Sequence, residues 1–354
     1  MPSSIPTRFL MVSDTHGEAL NNQCTTEADV VIHCGDLTDE SKLSEFEAAI
    51  TLLKSFQAPL KLVIAGNHDF TLDTPTFVNI LSAINPPLED DLIQREYGSF
   101  GQARALFERQ DARESGIRFL DEGTHHINLA NGATLTIYAS PYTCSKSTGW
   151  GFQYKPSEDH EWRIEPGTDV VATHAPPEGV LDRAGDGKRA GSGSLFAAVA
   201  RAKPALHCFG HIHESWGARK VKWRDDVSEA PSHFTSIDND ESALIESLAT
   251  IRAKRFDTEE LVARKKAKLE RYEKEGVCTA TAQRIDKGSQ TLFVNAAIEG
   301  PEDHLQQLPW LTEIELPRSS AVSRAPGSAA KRSAPDSDED DEIHAAKRSC
   351  VSTV

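Results

Sequence analysis

The chain has 354 residues, enough for one large domain with insertions or for two small ones. Hydrophobic residues make up 38% and charged residues 26%, proportions typical of a soluble protein with a packed core. The net charge of −16 excludes general binding to nucleic acids or to anionic membranes, because long-range repulsion opposes both. No run of about 20 apolar residues is present, so we predict no transmembrane helix.

Short apolar runs bounded by Gly, Pro or Asp recur along the chain and predict buried strands. These runs are Arg8–Ser13, Asp29–Cys34, Leu60–Ala65, Leu135–Ala139, Asp169–Thr173, Ala205–Gly210, Leu292–Ile298 and Glu313–Leu316. Helical patterns lie between some of them, at Ser44–Gln57, Thr74–Ile84 and Leu195–Ala202. Ser44 and Glu47 have the spacing of a capping box for the first helix. Strands that alternate with helices, together with adjacent strands, indicate an α/β fold with mixed sheets.

Two segments differ from this pattern. Residues 241–275 are highly charged and have a helical composition, so we predict a charged helical insert over about 226–289. The insert would interrupt a single catalytic domain spanning residues 7–317. Residues 318–354 are rich in Ser, Ala and charged residues and have few large apolar ones, which predicts a disordered acidic and basic tail.

Cysteine usage and the N-terminus bear on the compartment. Met1–Leu10 predicts a first β-strand rather than a signal peptide. The six cysteines are Cys24, Cys34, Cys144, Cys208, Cys278 and Cys350. No two of them form a C-x-x-C pair, which indicates free thiols in a reducing compartment. We therefore predict an intracellular, cytoplasmic protein. Two basic pairs in the tail, at 331–332 and 347–348, leave nuclear entry open as an alternative.

Five short polar clusters each follow an apolar run. They are Asp14-Thr15-His16, Gly35-Asp36, Gly66-Asn67-His68-Asp69, Thr173-His174 and Gly210-His211-Ile212-His213. The loops after the carboxyl ends of strands converge on one rim of an open α/β sheet, so the five clusters can meet in space. One such cluster alone is usually a turn or a cap. Five in succession indicate a single site.

The residue types in these clusters suit two divalent cations. Carboxylate, imidazole and amide oxygen ligands fit Mn²⁺, Fe²⁺ or Zn²⁺, and the absence of thiolates argues against a purely structural zinc site. Asp14 and His16 are two residues apart, as are His211 and His213, so in extended chain both members of a pair point to the same side. A carboxylate such as Asp36 can bridge two metals.

The order D-x-H, G-D, G-N-H-D, H, G-H-x-H resembles the signature of the calcineurin-like metallophosphoesterase superfamily. Longer stretches resemble its metallophosphoesterase-domain-containing subfamily, which is related to the class III cyclic-nucleotide phosphodiesterases. They include residues 65–73, the His174-Ala175-Pro176-Pro177 turn, residues 211–217 and Phe293-Val294-Asn295-Ala296-Ala297. The resemblance covers about residues 7–225 and 290–317.

The resemblance implies a four-layer α/β/β/α sandwich with two mixed sheets, and a dinuclear centre whose bridging hydroxide hydrolyses phosphodiester bonds. It implies a first metal held by Asp14, His16, Asp36 and His213, and a second held by Asp36, Asn67, His174 and His211. His68, with Asn67, would contact the substrate. His68 would also protonate the leaving alkoxide, with Asp69 orienting its imidazole. Cyclic nucleotides are the substrates that the subfamily suggests.

Departures from relatives refine the expected substrate. The protein phosphatases of the superfamily have G-D-x-V-D-R-G and R-G-N-H-E, whereas this chain has no arginine in either stretch, at residues 35–40 or 65–69. Without arginines to fork onto a phosphate dianion, the site should prefer a monoanionic diester of a small molecule. Arg183 or Arg189 could still supply that charge.

Two alternatives to a phosphodiesterase stay open, and protein partners are not predicted. One is a phosphomonoesterase or protein phosphatase. The other is a non-catalytic scaffold that uses the same fold to bind a protein. The aromatic residues Trp150, Phe152 and Tyr154 could stack a nucleobase, although core packing is the commoner use of such a run.

Overall fold

The structure, a computed structural model, describes residues 3–20, 24–146, 149–226, 228–280, 284–300 and 306–319. The strands of this part are β1 (Ser4–Val12), β2 (Val30–Cys34), β3 (Leu60–Ile64), β4 (Ile117–Phe119), β5 (Gly123–Asn128), β6 (Thr134–Ser140), β7 (Thr143–Cys144), β8 (Gln153–Tyr154), β9 (Val170–Thr173), β10 (Leu206–Phe209), β11 (Gly217–Trp223), β12 (Ile237–Ser247), β13 (Cys278–Thr279), β14 (Gln290–Asn295) and β15 (Trp310–Pro317). The α-helices are α1 (Leu43–Ser55), α2 (Thr74–Ala83), α3 (Asp90–Glu96), α4 (Gln102–Glu108), α5 (Gln110–Glu114), α6 (Gly193–Ala202), α7 (His233–Ser236), α8 (Leu248–Ile251) and α9 (Glu259–Glu275).

Two large mixed sheets form the centre of the domain. The first has the strand order β13-β15-β1-β2-β3-β4, in which β1 to β4 run parallel and β15 is antiparallel to β1. The second has the order β12-β11-β14-β10-β9-β6-β5, in which β14, β10, β9 and β6 are parallel while β12, β11 and β5 are joined by antiparallel pairs. A short parallel pair, β7-β8, lies apart from both sheets.

The two sheets pack face to face over one core. Met11 and Ile32 of the first sheet share this buried cluster with Ile137 and Cys208 of the second. The period of two along a strand sends the intervening residues to the opposite faces. Leu10, for example, belongs to a different cluster beneath helix α1.

Helices cover both outer faces. On the first sheet, Phe46 and Leu53 of α1 pack against Val63. On the second sheet, Leu195 and Val199 of α6 pack against strand residues of the outer face. The layers are therefore helix, sheet, sheet and helix, and the predicted α/β sandwich with two mixed sheets is confirmed.

All eight predicted strands are present, but the first helix begins differently from the prediction. Helix α1 has Lys42 at its N-cap, and the Glu45 carboxylate accepts the Lys42 backbone N–H at 2.8 Å. The predicted capping box of Ser44 and Glu47 is wrong, because both residues lie inside the helix. Glu47 is instead paired with Arg109.

The insert is not helical throughout. Residues 237–247 form β12, an antiparallel edge strand of the second sheet, and only 259–275 form a long helix. The insert then returns through β13, which pairs with β15 at the edge of the first sheet. Ile251, Tyr272 and Cys278 contribute to the core between the sheets. The insert is thus integrated into both sheets, and the prediction of a helix over 241–247 is wrong.

Other predictions are tested only within the described residues. Cys24, Cys34, Cys208 and Cys278 are buried free thiols, and Cys144 is a half-buried one. None of the helices of the described segments is both long and apolar enough to cross a bilayer. The predicted disorder of the tail concerns residues that, from 320 onward, lie outside the described part.

Candidate metal centre

The carboxyl ends of six parallel strands meet at one rim of the sandwich. Strands β1, β2 and β3 of the first sheet end at Val12, Cys34 and Ile64, and β9, β10 and β14 of the second end at the same rim. A bridge between Ser13 and Ala297 joins the two sheets there, with the Ile298 N–H donating to the Ser13 carbonyl at 3.0 Å. This link brings clusters from distant parts of the chain into one site.

Four of the predicted ligands have left-handed backbone conformations. The φ angles are 56° at Asp14, 46° at His16, 51° at Asp36 and 68° at His211. Such a conformation is uncommon for residues other than glycine and costs about 1–3 kcal/mol at each position. The surrounding fold therefore stabilises strained loops at the positions where the candidate ligands lie.

Two glycines permit the close approach of these loops. A Cβ at Gly66 would lie 2.8 Å from Cε1 of His174 and would overlap the Asp36 carboxylate. A Cβ at Gly210 would overlap the Asp14 carboxylate. Neither glycine has a positive φ, so steric space rather than conformation requires glycine here.

The predicted ligands of the first metal, apart from Asp36, form one group. Asp14, His16 and His213 each place a ligand atom within 4.8 Å of the others. Asp14 is fully buried, accepts the His211 backbone N–H at 3.0 Å and lies 3.2 Å from Nε2 of His213. Burial would raise the pKa of Asp14, but the hydrogen bond and charge of His213 outweigh it and hold that pKa well below its usual range.

The predicted ligands of the second metal form a neighbouring group. Asp36, His174 and His211 again lie within 4.8 Å of one another. Nε2 of His174 is 3.1 Å from Asp36 Oδ2 and 3.0 Å from Asn67 Oδ1. Nδ1 of His174 donates to the Cys34 carbonyl at 2.9 Å, which leaves Nε2 for a metal.

Burial and charge act in opposite directions on the pKa values of these buried groups. For His174, burial lowers the pKa, but Asp36 outweighs it and raises the value to about 9. For His211, burial and the charge of His174 outweigh the effects of Asp36 and Asp14 and lower the pKa to about 4. Asp36 has its pKa held well below the usual range by His174 despite burial. A buried set of two carboxylates and several imidazoles has the oxygen and nitrogen donors that divalent transition metals prefer, so the residues present fit two such ions.

His68 lies at the mouth of this site. Its Nδ1 donates to the Asp39 carbonyl at 2.7 Å, and its side chain is 23% exposed. The ring packs against Trp150 with centroids 4.1 Å apart and meets His16 edge to face at 4.8 Å. The imidazole is therefore held by a backbone carbonyl and by two rings. Trp150 is half-buried beside the site rather than part of the core.

The family model described as calcineurin-like phosphoesterase matches residues 7–215, which is more than half of the chain. The chain belongs to this family.

Proteins similar to this calcineurin-like phosphoesterase include one from a fungus and one found in two mammals. "Probable rhamnogalacturonate lyase C" of Emericella nidulans is 32% identical over 218 residues, which cover 61% of this chain but 18% of that protein. "Metallophosphoesterase domain-containing protein 1" of Homo sapiens is 32% identical over 220 residues, 60% of this chain and 62% of that protein. The mouse protein of the same name gives the same figures. The resemblance to the metallophosphoesterase-domain-containing subfamily is thus confirmed, while the match spans less than two thirds of each of these relatives.

In this calcineurin-like phosphoesterase, Asp69 does not orient His68, so that prediction is wrong. The buried Asp69 carboxylate instead accepts the backbone N–H groups of Leu37, Thr38 and Gly66 at 2.8–3.2 Å and the Thr38 hydroxyl at 2.8 Å. Burial and the nearby Asp36 raise the pKa of Asp69 to about 6. Asp69 thus joins the loop at residues 36–38 to the loop at residues 66–69, and the Asp39 carbonyl, rather than Asp69, contacts the His68 ring.

Sequence reasoning missed Glu299. This carboxylate follows β14, is 7% exposed and places Oε2 2.6 Å from Nε2 of His16 and 3.4 Å from Nδ1 of His213. Burial would lower the pKa of His16, but Glu299 and Asp36 outweigh it and raise that pKa to about 10. One sequence feature could have identified Glu299 as a site residue. It is a carboxylate that follows an apolar strand, and it lies within residues 290–317, which resemble the family.

A cavity of about 310 Å³ opens over the site. Its lining consists of three histidines and three carboxylates: His16, His68, His213, Glu18, Asp39 and Glu299. Arg183 and Arg189 line a different cavity. There, Arg189 is 2.6 Å from the buried Asp182 and Arg183 donates to the Gly187 carbonyl. The prediction that either arginine could reach the phosphate is not supported by these contacts.

Proposed function

We propose that this protein is a metal-dependent phosphodiesterase of small molecules, and that cyclic nucleotides are the first substrates to test. The observation that carries the proposal is the lining of the metal-site cavity, which contains carboxylates and histidines and neither arginine nor lysine among the described residues. A phosphate dianion would meet Glu18, Asp39 and Glu299 without a fixed cation from the protein. A diester carries one negative charge and suffers less of this repulsion.

Two groups of ligands would hold the metals. Asp14, His16 and His213 would hold one ion, His174, His211 and Asn67 would hold the other, and Asp36 would be shared between them. When bound, two divalent cations would polarise the phosphoryl oxygens and make an attacking water more acidic. The strained loops keep the ligands pre-organised, which reduces the reorganisation required when metals and substrate bind.

His68 would serve as the general acid. Because its Nδ1 donates to the Asp39 carbonyl, Nε2 is the nitrogen available to the substrate. Protonated at both nitrogens, the ring can give the Nε2 proton to the departing alkoxide while Nδ1 keeps its hydrogen bond. The contacts with Trp150 and His16 restrict rotation of the ring, so the acid stays in one orientation. General acid catalysis of this kind contributes ~10²–10⁴ in rate.

Trp150 supports a substrate with a flat, apolar part. Its ring covers one side of His68 at the cavity mouth and is only half-buried. The Gly151 N–H donates to the Asn67 carbonyl at 2.9 Å, which ties this aromatic residue to the metal-binding loop. A nucleobase could stack on the exposed part of the indole, with a contribution of about 1–3 kcal/mol. The subfamily resemblance to cyclic-nucleotide phosphodiesterases agrees with such a ligand.

The test compares hydrolysis of bis(p-nitrophenyl) phosphate and p-nitrophenyl phosphate in the presence of Mn²⁺. Wild type is run beside Asp36→Asn, His68→Ala and the control His125→Ala, which removes a histidine outside the site. We expect preferential diester turnover, abolished in Asp36→Asn, lowered ~10²–10⁴-fold in His68→Ala and unchanged in His125→Ala. A panel of 3′,5′- and 2′,3′-cyclic nucleotides follows.

Two outcomes would overturn parts of the proposal. Faster cleavage of the monoester would show that the cavity does not select diesters, and would favour a phosphomonoesterase. Absence of turnover of either ester, in protein that binds Mn²⁺, would refute the enzymatic proposal and favour a protein-binding scaffold.

A further inference from the structure

Glu299 is placed by the fold in an unusual position for a carboxylate. It lies four residues after the end of β14, and the bridge between Ser13 and Ala297 sets this segment directly beside the loop that carries His16. The Glu299 carbonyl accepts the Gln307 side chain at 3.1 Å in a buried contact. The backbone around Glu299 is therefore fixed, and its side chain points into the cavity over the candidate metals.

One oxygen of the Glu299 carboxylate is buried without a hydrogen bond. Glu299 is 7% exposed, and its Oε2 has no hydrogen-bond partner. Both ring nitrogens of His16 are likewise buried without hydrogen-bond partners. Oε2 and Nε2 of His16 face each other at 2.6 Å, but not with the angles of a hydrogen bond. Unsatisfied buried polar atoms are rare, and two that converge indicate a missing partner between or beside them.

A shared cation is a partner that fits this geometry. Two ligands at ~2.1 Å from one cation and at right angles to each other are ~3 Å apart. The separation of Glu299 Oε2 from His16 Nε2, 2.6 Å, is near that value. His213 turns Nε2 toward Asp14 and Nδ1 toward Glu299 at 3.4 Å, so the comparison applies to His16 alone.

We infer that Glu299 is an additional ligand of the first metal, beside Asp14, His16, Asp36 and His213. The inference rests on the metal centre of the proposed function but is independent of the substrate. A third carboxylate changes the donor set of this ion from mixed toward oxygen-rich, which favours Mn²⁺ or Fe²⁺ over Zn²⁺. It also makes the loaded centre less positive, in keeping with a substrate that carries a single negative charge.

Metal binding, measured without any turnover, tests this inference. Isothermal titration of metal-free protein with Mn²⁺ and with Zn²⁺ is run on wild type, Glu299→Gln and Glu18→Gln. Glu18 lines the same cavity but is exposed, so its substitution removes an equal charge and controls for long-range electrostatics. Glu299→Asp keeps the negative charge, but its side chain is shorter by one methylene group, so the carboxylate lies farther from His16. Circular dichroism of each metal-free variant checks folding.

We expect Glu299→Gln to weaken binding of one Mn²⁺ by more than ~100-fold, beyond the ~10–100-fold lost with a residue that only hydrogen-bonds a ligand. Zn²⁺ binding should fall less, Glu299→Asp should also lose Mn²⁺ affinity, and Glu18→Gln should stay within about threefold of wild type. The visible spectrum of the Co²⁺-loaded protein should change in Glu299→Gln, because one oxygen ligand is lost.

Three results would overturn the inference. The first is an unchanged Co²⁺ spectrum in Glu299→Gln, even with weaker affinity, since Glu299 would then act only through His16 or His213. The second is an equal effect of Glu18→Gln, which would indicate charge alone. The third is wild-type Mn²⁺ affinity in Glu299→Asp. Wild type that binds fewer than two Co²⁺ per chain would instead refute the dinuclear centre itself.

Discussion

Metal binding near neutral pH should release protons from His16 and His174. Carboxylates raise the pKa of His16 to about 10 and that of His174 to about 9, in both cases against the effect of burial. Both side chains are therefore cationic at pH 7 in the metal-free protein. An imidazolium cannot coordinate a cation, so each must lose a proton when metal binds. Asp14 and Asp36 are already ionised and release none.

The magnitude follows from the distance between the pH and each pKa. At pH 7, deprotonation costs about 1.36 kcal/mol for each of roughly two pKa units at His174 and three at His16, or about 3 and 4 kcal/mol. The affinity for metal should thus rise ~10-fold per pH unit for each proton released and level off above pH 9 to 10. The raised pKa values also stabilise the metal-free fold below pH 6.5, and this stabilisation is lost as pH rises through 9 and 10.

Titration of Mn²⁺ into metal-free protein at pH 7, in buffers that differ in ionisation enthalpy, measures this release. The dependence of the observed heat on buffer enthalpy should give two or more protons per chain, and fewer when repeated at pH 10. His125→Ala, outside the site, should match wild type. Heats that are equal in all buffers at pH 7 would show that His16 and His174 are neutral in the metal-free protein, and would refute the reasoning.

Three further predictions concern the framework of the site and the packing of the insert. Gly66→Ala places a methyl group against the Asp36 carboxylate, so it should abolish binding of at least one Mn²⁺ by metal analysis and cost about 1–3 kcal/mol of stability. The Asp69 carboxylate accepts four hydrogen bonds, two at each oxygen. Asp69→Asn replaces one oxygen with an amide NH₂ that cannot accept, so the free energy of unfolding in urea should fall by about 2–6 kcal/mol. Tyr272→Phe removes a buried hydroxyl that donates to Glu246 at 2.9 Å and should cost about 1–3 kcal/mol in the same assay.

Matched substitutions separate these effects from general sensitivity. Gly193→Ala, whose Cβ would meet only the flexible end of Glu178 at 3.1 Å, should retain full metal content. Asp91→Asn, at an exposed position, and Tyr97→Phe, at a half-buried one, should each change stability by less than about 0.5 kcal/mol. Losses in these controls equal to those in the test variants would contradict the assignments to specific contacts.

Sequence patterns predicted the central strands and the rim clusters because both depend on local features. A buried parallel strand needs a short apolar run, and the polar residues that follow it lie at the rim in any open α/β arrangement. Asp14 and His16 lie in one group with His213, and His211 lies in the neighbouring group. The extended chain expected at both pairs is wrong, because Asp14, His16 and His211 have left-handed φ angles.

The features that were missed depend on contacts between distant segments. Strand β12 has a polar, charged sequence, and its conformation is set by pairing with β11 rather than by its own composition. Glu299 reaches the site only through the bridge between Ser13 and Ala297. Asp69 is adjacent to His68 in sequence, but its carboxylate is turned toward the loop N–H groups on the opposite side.

The pairing of β1 with β15 has a consequence for biosynthesis. Thr7 is opposite Ile314, so the partner of the first strand is made about 300 residues later, roughly 15–60 s at ~5–20 residues per second. Until then one edge of β1 has no strand beside it, and exposed edges of this kind invite pairing with other chains. β14, which brings Glu299 to the rim, also emerges late. A nascent chain would therefore bring Glu299 to the rim only after β14 has been made, and truncation before β15 would leave the edge of β1 open to aggregation.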